Sequence, residues 1–336
     1  MRAAARDRQV VQITEVKDLT ALRDFHSVED VALAHDHVAL PADPIEEFLP
    51  LLDGDMPSGE HVTLYTGYDG TTPIAAMSVT LFTLDNLTSA NVEGYVHPAH
   101  RRRGLGRELL EHAVDVVQSA GRTRVFFEAP WLPSGEEGPA FPMLRAAGAK
   151  PVLDDYRRLL DLQAFPVGSP AEVPSGYRLI QWVDRAPEEL LDGLAYLLHR
   201  MVLDAPMGDM DYEPEKWDAA RYRASEDSAI RRKRTRYTTV VVHEATGAVA
   251  GLTEVCVNLG RPELAHQWNT IVDPSHRGRR LGLVLKSWNH QAVASAVPDL
   301  RWVVTWNATS NSYMIDVNEA LGFLIAEKWT EWQLDL

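Results

Sequence analysis

The chain carries one pattern of eleven residues twice, once in each half. Residues 96–106 read VHPAHRRRGLG, and residues 272–282 read VDPSHRGRRLG. A shorter pattern, Leu-Asp-Leu, ends both halves at residues 160–162 and 334–336. The two pairs are separated by 176 and 174 residues, so the register is kept over a whole domain length. Such self-similarity indicates that one domain was duplicated.

The length agrees with two domains joined by a linker. The 336 residues fit two units of roughly 160 residues, each large enough to bury its own core. Residues 165–176 read FPVGSPAEVPSG, which is rich in Pro, Gly and Ser and lacks hydrophobic periodicity. We therefore expect one domain over residues 1–164, a linker over residues 165–176 and a second domain over residues 177–336.

The order of predicted elements indicates an α+β fold in both halves. In the first half, strands at 63–68 and 73–82 flank the Asp69-Gly70 turn, and a third strand at 90–96 leads into the arginine-rich pattern. Helices follow only some of the strands, which favours a mixed, mostly antiparallel central sheet flanked by helices over a doubly wound sheet. Further predicted elements are a helix at 104–119, strands at 125–129 and 177–182, helices at 188–203 and 215–226, strands at 237–244, 249–258 and 264–272, a helix at 279–297, a strand at 301–306 and a helix at 311–321.

Composition limits the classes of partner. The formal charge of −15 repels nucleic acid and anionic membranes and favours a cationic small molecule such as an amine. No stretch reaches the roughly 18 apolar residues of a membrane span, and residues 1–12 lack the apolar run of a signal peptide. The single cysteine, Cys256, argues against disulfides and most structural zinc sites. We therefore expect a cytoplasmic protein without a metal, and interpret the basic run at residues 231–236 as a solvated helix end.

The arginines and glycines at residues 101–106 lie between a predicted strand and a predicted helix. Glycines let the backbone approach a ligand, and unpaired N–H groups at a helix start point toward it. Arginines add charge-assisted hydrogen bonds to phosphate, so the segment is typical of a diphosphate cradle. A P-loop would need Lys-Ser or Lys-Thr where Arg107-Glu108 stands. A dinucleotide fold would need a third glycine where Leu109 stands.

The remaining pattern resembles the coenzyme A loop of the GNAT (GCN5-related) acetyltransferases. The second loop is also followed by a helix that contains asparagines and ends in Gly322-Phe323, like the helix that packs against the pantetheine arm in that family. The resemblance covers nearly the whole chain and is closest to the tandem-domain, actinobacterial group that includes mycothiol synthase. It implies that acetyl-CoA is bound as co-substrate by Val96, Arg101, Arg102, Arg103, Gly104, Leu105, Gly106 and Arg107 in the first half, and by Ile271, Val272, Arg277, Gly278, Arg279, Arg280, Leu281, Gly282, Asn307 and Asn311 in the second.

The resemblance also implies the chemistry. In this family an amine attacks the thioester carbonyl directly while both reactants are held in one tunnel, so much of the rate comes from positioning. A backbone N–H at the end of the strand before each loop would polarise the carbonyl. The proton of the amine would go to a carboxylate, for which the candidates are Glu93 and Glu254. The family often has a tyrosine four residues before the final glycine. This chain has Leu144 and Asn318 there, so Tyr313 is the substitute candidate for protonating the thiolate.

Two functions remain open at this point. The first is N-acyl transfer from acetyl-CoA to a primary amine of a small molecule. The second is a non-catalytic acetyl-CoA-binding or sensing protein, which the missing tyrosine supports. The second half is the favoured catalytic half because its asparagine helix is intact, and the acidic segment 204–213 would form a wall of its acceptor site. We expect a monomer or a homodimer.

Overall fold

The structure, a computed structural model, describes residues 11–37, 41–56, 58–164 and 168–336. In the first half, a strand and a long helix precede a meander of three antiparallel strands. Asp18 begins the helix, because its side chain accepts a hydrogen bond from the Ala21 N–H at 2.9 Å. The elements of this half are β1 (Gln12–Glu15), α1 (Leu19–Asp36), α2 (Leu49–Leu52), β2 (Glu60–Asp69), β3 (Thr72–Phe82), β4 (Ser89–Val96), α3 (Leu105–Ser119), β5 (Arg124–Pro130), α4 (Phe141–Ala146) and β6 (Lys150–Asp161).

The second half repeats this order of strands and helices. Its elements are β7 (Tyr177–Val183), α5 (Leu191–Asp204), α6 (Ala219–Arg231), β8 (Arg234–His243), β9 (Val249–Asn258), β10 (Leu264–Val272), α7 (Leu281–Ala296), β11 (Trp302–Ala308), α8 (Ser312–Ala320) and β12 (Leu324–Asp335). The predicted start of α6 at residue 215 is wrong. The helix begins only at Ala219, because Asp218 caps it by accepting a hydrogen bond from the Arg221 N–H at 2.7 Å.

All twelve strands form one sheet, in which the two halves exchange their last strands. The order is β1-β2-β3-β4-β5-β12-β6-β11-β10-β9-β8-β7. The last strand of the second half, β12, therefore lies between β5 and β6, and β6 lies between β12 and β11. The expected α+β class with a mostly antiparallel sheet is confirmed, since only β4–β5 and β10–β11 are parallel pairs among the described strands. Nothing in the sequence predicted the exchange.

The exchanged strands carry side chains into the core of the opposite half. Trp332 of β12 is fully buried, and its ring lies 5.2 Å from that of Phe141 in the first half. Leu334 joins the same cluster. In the opposite direction, Leu160 of β6 packs with Val303 of β11. Because each of these side chains loses most of its contact with water, the exchange stabilises the two halves together.

Two neighbouring strands separate in each half. The pairing of β4 with β5 begins at Ser89 and Arg124 and ends at Asn91 and Phe126, although both strands continue. The pairing of β10 with β11 likewise covers only residues 264–266 of β10. Each half therefore has a V-shaped gap in its sheet just before the arginine-rich loop.

The linker and the basic run have specific contacts. Residues 165–167 of the expected linker lie outside the described residues, but Ala171 is held against α7. Its N–H donates to Ser287 Oγ at 3.0 Å, and its carbonyl accepts from Trp288 Nε1 at 2.9 Å. The interpretation of residues 231–236 as a solvated helix end holds for Arg231 and Lys233, which are exposed at the end of α6. It is wrong for Arg236, which lies on β8 and is buried. No helix of the described residues is long and apolar enough to cross a bilayer.

Replacement of Trp332 tests the strand exchange. Because its indole is fully buried in the core of the first half, we expect Trp332→Ala to lower the free energy of unfolding by about 3–5 kcal/mol. Trp306→Ala is the matched control, since Trp306 is 38% exposed and a much smaller loss is expected there. Urea denaturation followed by circular dichroism measures both variants. Equal losses would contradict the placement of β12 in that core.

Candidate active site

The turn between β4 and α3 presents backbone N–H groups to solvent at the start of a helix. Arg102 and Gly104 have φ angles of +64° and +96°, which reverse the chain sharply. Within the described parts of the chain, no group accepts a hydrogen bond from the N–H groups of residues 102–106. The dipole of α3 adds partial positive charge at the same place. This turn can therefore bind an anion such as a diphosphate.

Arg101 braces this turn instead of facing solvent. Its Nε donates to the Val96 carbonyl at 2.9 Å, and its two terminal nitrogens each lie 2.7 Å from a carboxylate oxygen of Asp36 at the end of α1. Burial opposes ionisation of Asp36, yet the hydrogen bond from Arg101 lowers the pKa of this carboxyl below its usual value. The neighbouring Arg102, Arg103 and Arg107 are the exposed cations of the turn.

The second turn is braced in the same way. Arg277 Nε donates to the Val272 carbonyl at 3.1 Å, and its NH2 group donates to Asp204 at the end of α5 at 2.8 Å. The duplication seen in the sequence therefore extends to individual hydrogen bonds. One difference is that Arg280 adopts φ +57° where the first half has Gly104, a conformation that a non-glycine residue adopts at some cost.

An apolar cavity fills the gap between β4 and β5. Its volume is about 100 Å³, and it begins beside the first turn of α3. A Cβ on Gly106 would come within 3.2 Å of Met143 Sδ, so a larger side chain at this position would crowd the entrance. We call this cavity the first slot. It is lined by Met77, Val92, Gly94, Val96, Gly106, Leu109, Leu110, Phe127, Glu128, Ala140, Met143 and Leu144.

The equivalent positions in the second half are occupied by hydrogen-bonded polar side chains. Lys286 donates to Asn318 Oδ1 at 2.5 Å, and Asn318 donates to Asn307 Oδ1 at 3.1 Å. Nearby, His290 Nε2 lies 2.9 Å from Gln267 Oε1. Burial, and then the charge of a nearby arginine, lowers the pKa of Lys286 to about 7. The residues at the corresponding positions of the first half are Leu110, Leu144, Ala129, Val114 and Val92.

Two further candidates of the second half have local structural contacts. The Asn311 side chain caps α8 by accepting a hydrogen bond from the Met314 N–H at 3.2 Å. Tyr313 lies against the second turn, where a Cβ on Gly282 would meet its hydroxyl at 3.3 Å. A cavity of about 390 Å³ does lie at this turn, but no residue of β10 or β11 lines it. Its lining consists of Ala171, Glu172, Pro174, Arg279, Arg280 and Val284.

A row of carboxyl groups lies on the face of the sheet opposite α3, where the first slot ends. Glu93 and Glu128 stand on either side of the gap, each two residues beyond the last paired residues of β4 and β5. Glu331 of the exchanged strand lies directly opposite Glu128. Asp155 lies on β6, the next strand of the sheet, and its side chain is hydrogen-bonded to that of Glu331. We call these four residues the acidic row, and solvent reaches both Glu93 and Glu128.

The members of the acidic row are difficult to ionise together. Burial, and then the charges of Glu93 and Asp155, raises the pKa of Glu128 to about 7. Burial, and then the charges of Glu128 and Asp155, raises the pKa of Glu331 to about 9. Burial also raises the pKa of Glu93. In the described residues, no group of three or more His, Cys, Asp or Glu side chains is arranged to hold a metal ion.

Tyr95 of β4 and Glu29 of α1 also lie close to the acidic row. Tyr95 donates a hydrogen bond to Glu93 Oε2 at 3.2 Å. Burial, and then Glu93 and Glu29, raises the pKa of Tyr95 well above its usual value, so this hydroxyl stays protonated. Glu29 of α1 is 7% exposed, and its Oε2 has no hydrogen-bond partner among the described residues. Burial and the charge of Glu93 raise its pKa strongly.

The acidic segment 204–213 lies on the first half, although it follows α5 of the second. The Glu213 N–H donates to Asn86 Oδ1 at 2.7 Å, and the Asp209 N–H donates to the Val152 carbonyl at 2.9 Å. The ring of Tyr212 lies 6.0 Å from that of Phe126, which precedes Glu128 on the same face of β5. The segment therefore walls the acidic row of the first half.

The carboxylate of Glu254 already has hydrogen-bond and ion-pair partners in neighbouring side chains. Tyr222 donates to Oε1 at 3.1 Å, Asn269 donates to Oε2 at 2.8 Å, and Arg236 forms an ion pair at 3.5 Å. The side chain is 1% exposed. This arrangement links β9 to β8, β10 and α6, so both oxygens of the carboxylate already have partners within the chain.

Reasoning from the sequence missed most of the acidic row. Glu93 was identified, but Glu128, Asp155 and Glu331 were not. The one available signal was Glu128, a charged residue within the short apolar strand predicted at 125–129. Glu331 gave none, because its role depends on the strand exchange.

Comparison with known proteins agrees with this geometry. The acetyltransferase (GNAT) family matches residues 30–130, which contain the first turn, Glu93 and Glu128. The tandem GNAT protein from the clavulanic acid biosynthesis pathway is 28% identical, has a TM-score of 0.82, and the match covers 97% of this chain and 98% of that one. A GCN5-related N-acetyltransferase from Sphaerobacter thermophilus is 17% identical with a TM-score of 0.67, and the match covers 98% of this chain and 96% of that one. No curated protein matches the chain.

The family match, the braced turns and the whole-length structural similarity agree with one another. The chain contains a domain of the acetyltransferase (GNAT) family in its first half and has the fold of a tandem GNAT protein along its length.

Proposed function

We propose that the protein is an acetyl-CoA-dependent N-acyltransferase whose working site lies in the first half. The observation that carries this proposal is the first slot, an apolar passage that leads from an anion-binding turn to Glu128. The equivalent positions of the second half are occupied by the Lys286–Asn318–Asn307 chain. The favoured half is therefore the opposite of the one that the asparagine helix indicated.

The residues of the first half fit coenzyme A. The N–H groups of residues 102–106 would bind the diphosphate, with Arg102, Arg103 and Arg107 as exposed counter-charges. The pantetheine arm would lie in the first slot. The His97 N–H donates to the Ile74 carbonyl on β3, so the alternation of an antiparallel ladder turns the Val96 N–H toward the gap. That N–H would polarise the thioester carbonyl.

The acidic row would act on the amine. Glu128 lines the first slot, so it would take the proton of the amine, with Glu93 across the gap as the second carboxylate. The amine nitrogen bonds to the acyl carbon, and the carbon–sulfur bond breaks. The sulfur leaves as a thiolate, which takes a proton from water that enters the first slot. Tyr95 would hold Glu93 in place by its hydrogen bond.

The alternative is a protein that binds acetyl-CoA without turnover. Leu144 stands where the family often has a tyrosine, which favours this alternative. It predicts coenzyme binding at the first turn and no release of free thiol with any amine. The experiments below separate the two functions.

Substitution of the base is the first test. We expect Glu128→Gln to lower kcat by roughly 100-fold or more while leaving the affinity for acetyl-CoA unchanged, because only the proton acceptor is lost. Glu254→Gln is the matched control in the second half. It should retain turnover and lose about 1–3 kcal/mol of stability, since buried Arg236 loses its partner. Thiol release and calorimetry provide the readouts. Loss of turnover in the control alone would move the active site to the second half.

The pH dependence of kcat is the second test. Glu128 acts as a base only when ionised, so kcat at saturating amine should fall about tenfold per pH unit below pH 7. Removal of a nearby negative charge lowers the pKa of a carboxyl group. Glu93→Gln should therefore shift the limb of the profile to lower pH. A limb that moves to higher pH in this variant would contradict the role of Glu128.

Coenzyme stoichiometry is the third test. Calorimetry should show a single molecule of acetyl-CoA per chain, because the Lys286–Asn318–Asn307 chain occupies the positions in the second half that correspond to the first slot. Gly106→Glu should abolish this binding, since even a Cβ at this position comes within 3.2 Å of Met143 and the carboxylate repels the diphosphate. Gly282→Glu makes the same change in the second turn and should leave binding intact. Two sites per chain, or loss of binding only in Gly282→Glu, would refute the assignment.

A further inference from the structure

The acidic row extends further than proton transfer requires. Neighbouring strands of a sheet lie about 4.8 Å apart, so Glu331 is roughly 5 Å from Glu128 across the sheet. Asp155, on the strand after that, is roughly 10 Å away. One base beside the thioester is sufficient to deprotonate an amine. The function of Glu331 and Asp155 therefore needs a separate explanation.

These carboxyl groups have no cationic partner. Among the described residues, no Lys, Arg or His side chain forms an ion pair with any member of the acidic row or with Glu29. Other buried acids of the chain are paired: Glu47 with Arg234 and Glu226 with Arg223. Asp155 and Glu29 are buried, and a buried carboxylate without a counter-charge is costly unless it takes up a proton or a ligand supplies the charge.

Glu29 is an independent indication of a cationic ligand. It comes from α1, a different element from the strands of the row, and it is 7% exposed. Its Oε2 has no hydrogen-bond partner in the described parts of the chain. The buried face of α1 that carries Glu29 packs against β3 and β4, where Tyr95 and then Glu93 follow on the same side of the sheet. A buried oxygen of this kind can accept a hydrogen bond from ordered water or from a ligand bound at the row.

We propose that the acceptor carries two ammonium groups, one that reacts between Glu93 and Glu128 and one that is held by Glu331 and Asp155. The proposal rests on the proposed function and specifies its substrate class as small aliphatic diamines. The distance from Glu128 to the second pair requires nitrogens roughly 5–10 Å apart. The strand exchange is essential to this selectivity, because β12 supplies Glu331.

A diamine and its neutral isostere test the proposal. Thiol release is measured with 1,4-diaminobutane and with 4-aminobutan-1-ol, whose hydroxyl replaces the second ammonium, and then with a series of diamines of different length. A hydrogen bond from an ammonium to a buried carboxylate contributes roughly 10- to 100-fold. The kcat/KM for the diamine should exceed that for the amino alcohol by this factor, well beyond the twofold advantage of two equivalent amines.

Substitutions test whether the acidic row causes the preference for the diamine over the amino alcohol. Glu331→Gln should reduce the ratio of the two kcat/KM values to below about threefold, because an amide cannot ionise to pair with the second ammonium. Glu263→Gln, at an exposed glutamate before β10, is the control and should keep the wild-type ratio. Replacement of a carboxyl by an isosteric amide keeps the size and shape of the side chain, so the variant is expected to fold, and circular dichroism checks this.

Binding without turnover separates the failure of this inference from failure of the proposed function. Calorimetry on protein saturated with coenzyme A should show 1,4-diaminobutane binding at least tenfold more tightly than 4-aminobutan-1-ol. Equal affinities, with both amines acetylated, would overturn the diamine proposal and leave the acyltransferase function standing. Absence of any coenzyme binding would overturn the proposed function itself. Tight diamine binding without thiol release would support the site and contradict catalysis.

Discussion

The insertion of β12 between β5 and β6 is the contact on which the other features of the molecule depend. The strand forms ladders with both neighbours and brings Trp332 into the first core. It also sets Glu331 opposite Glu128, so one strand contributes to folding and to the chemistry of the site. The two halves are therefore not independent units joined by a flexible linker. Each is incomplete without a strand from the other.

The two halves show how a duplicated domain can keep its frame and change its interior. Both turns are braced by an arginine that bonds the carbonyl at the end of the preceding strand and a distant aspartate. What the two halves share is the backbone geometry of the turn, which these arginine hydrogen bonds maintain. The interiors differ because Lys286 and Asn318 stand where the first half has Leu110 and Leu144. A satisfied polar chain of this kind occupies space that an apolar slot leaves open.

The sequence predicted those features that depend on residues close together along the chain. The turn at Asp69-Gly70 and the arginine-glycine loops follow from residue types within a few positions. The site depended on more distant relations. Glu254 was a candidate base because the chemistry of the family calls for a carboxylate, but its hydrogen-bond partners come from other elements and occupy it. Glu331 is 203 positions after Glu128 along the chain, and only the strand order brings them together. Charge and periodicity do not encode that pairing.

The strand exchange also has a consequence for synthesis on the ribosome. When β5 leaves the exit tunnel, its outer edge has no neighbour, because β12 is the last strand of the chain. The nascent first half therefore carries an unpaired edge and an incomplete core until β12 has been synthesised. Such an edge can pair with the same edge of another nascent chain. For this protein, the interval between the emergence of β5 and that of the final strand is the period of greatest risk of aggregation, and chaperones that bind exposed strands would act then.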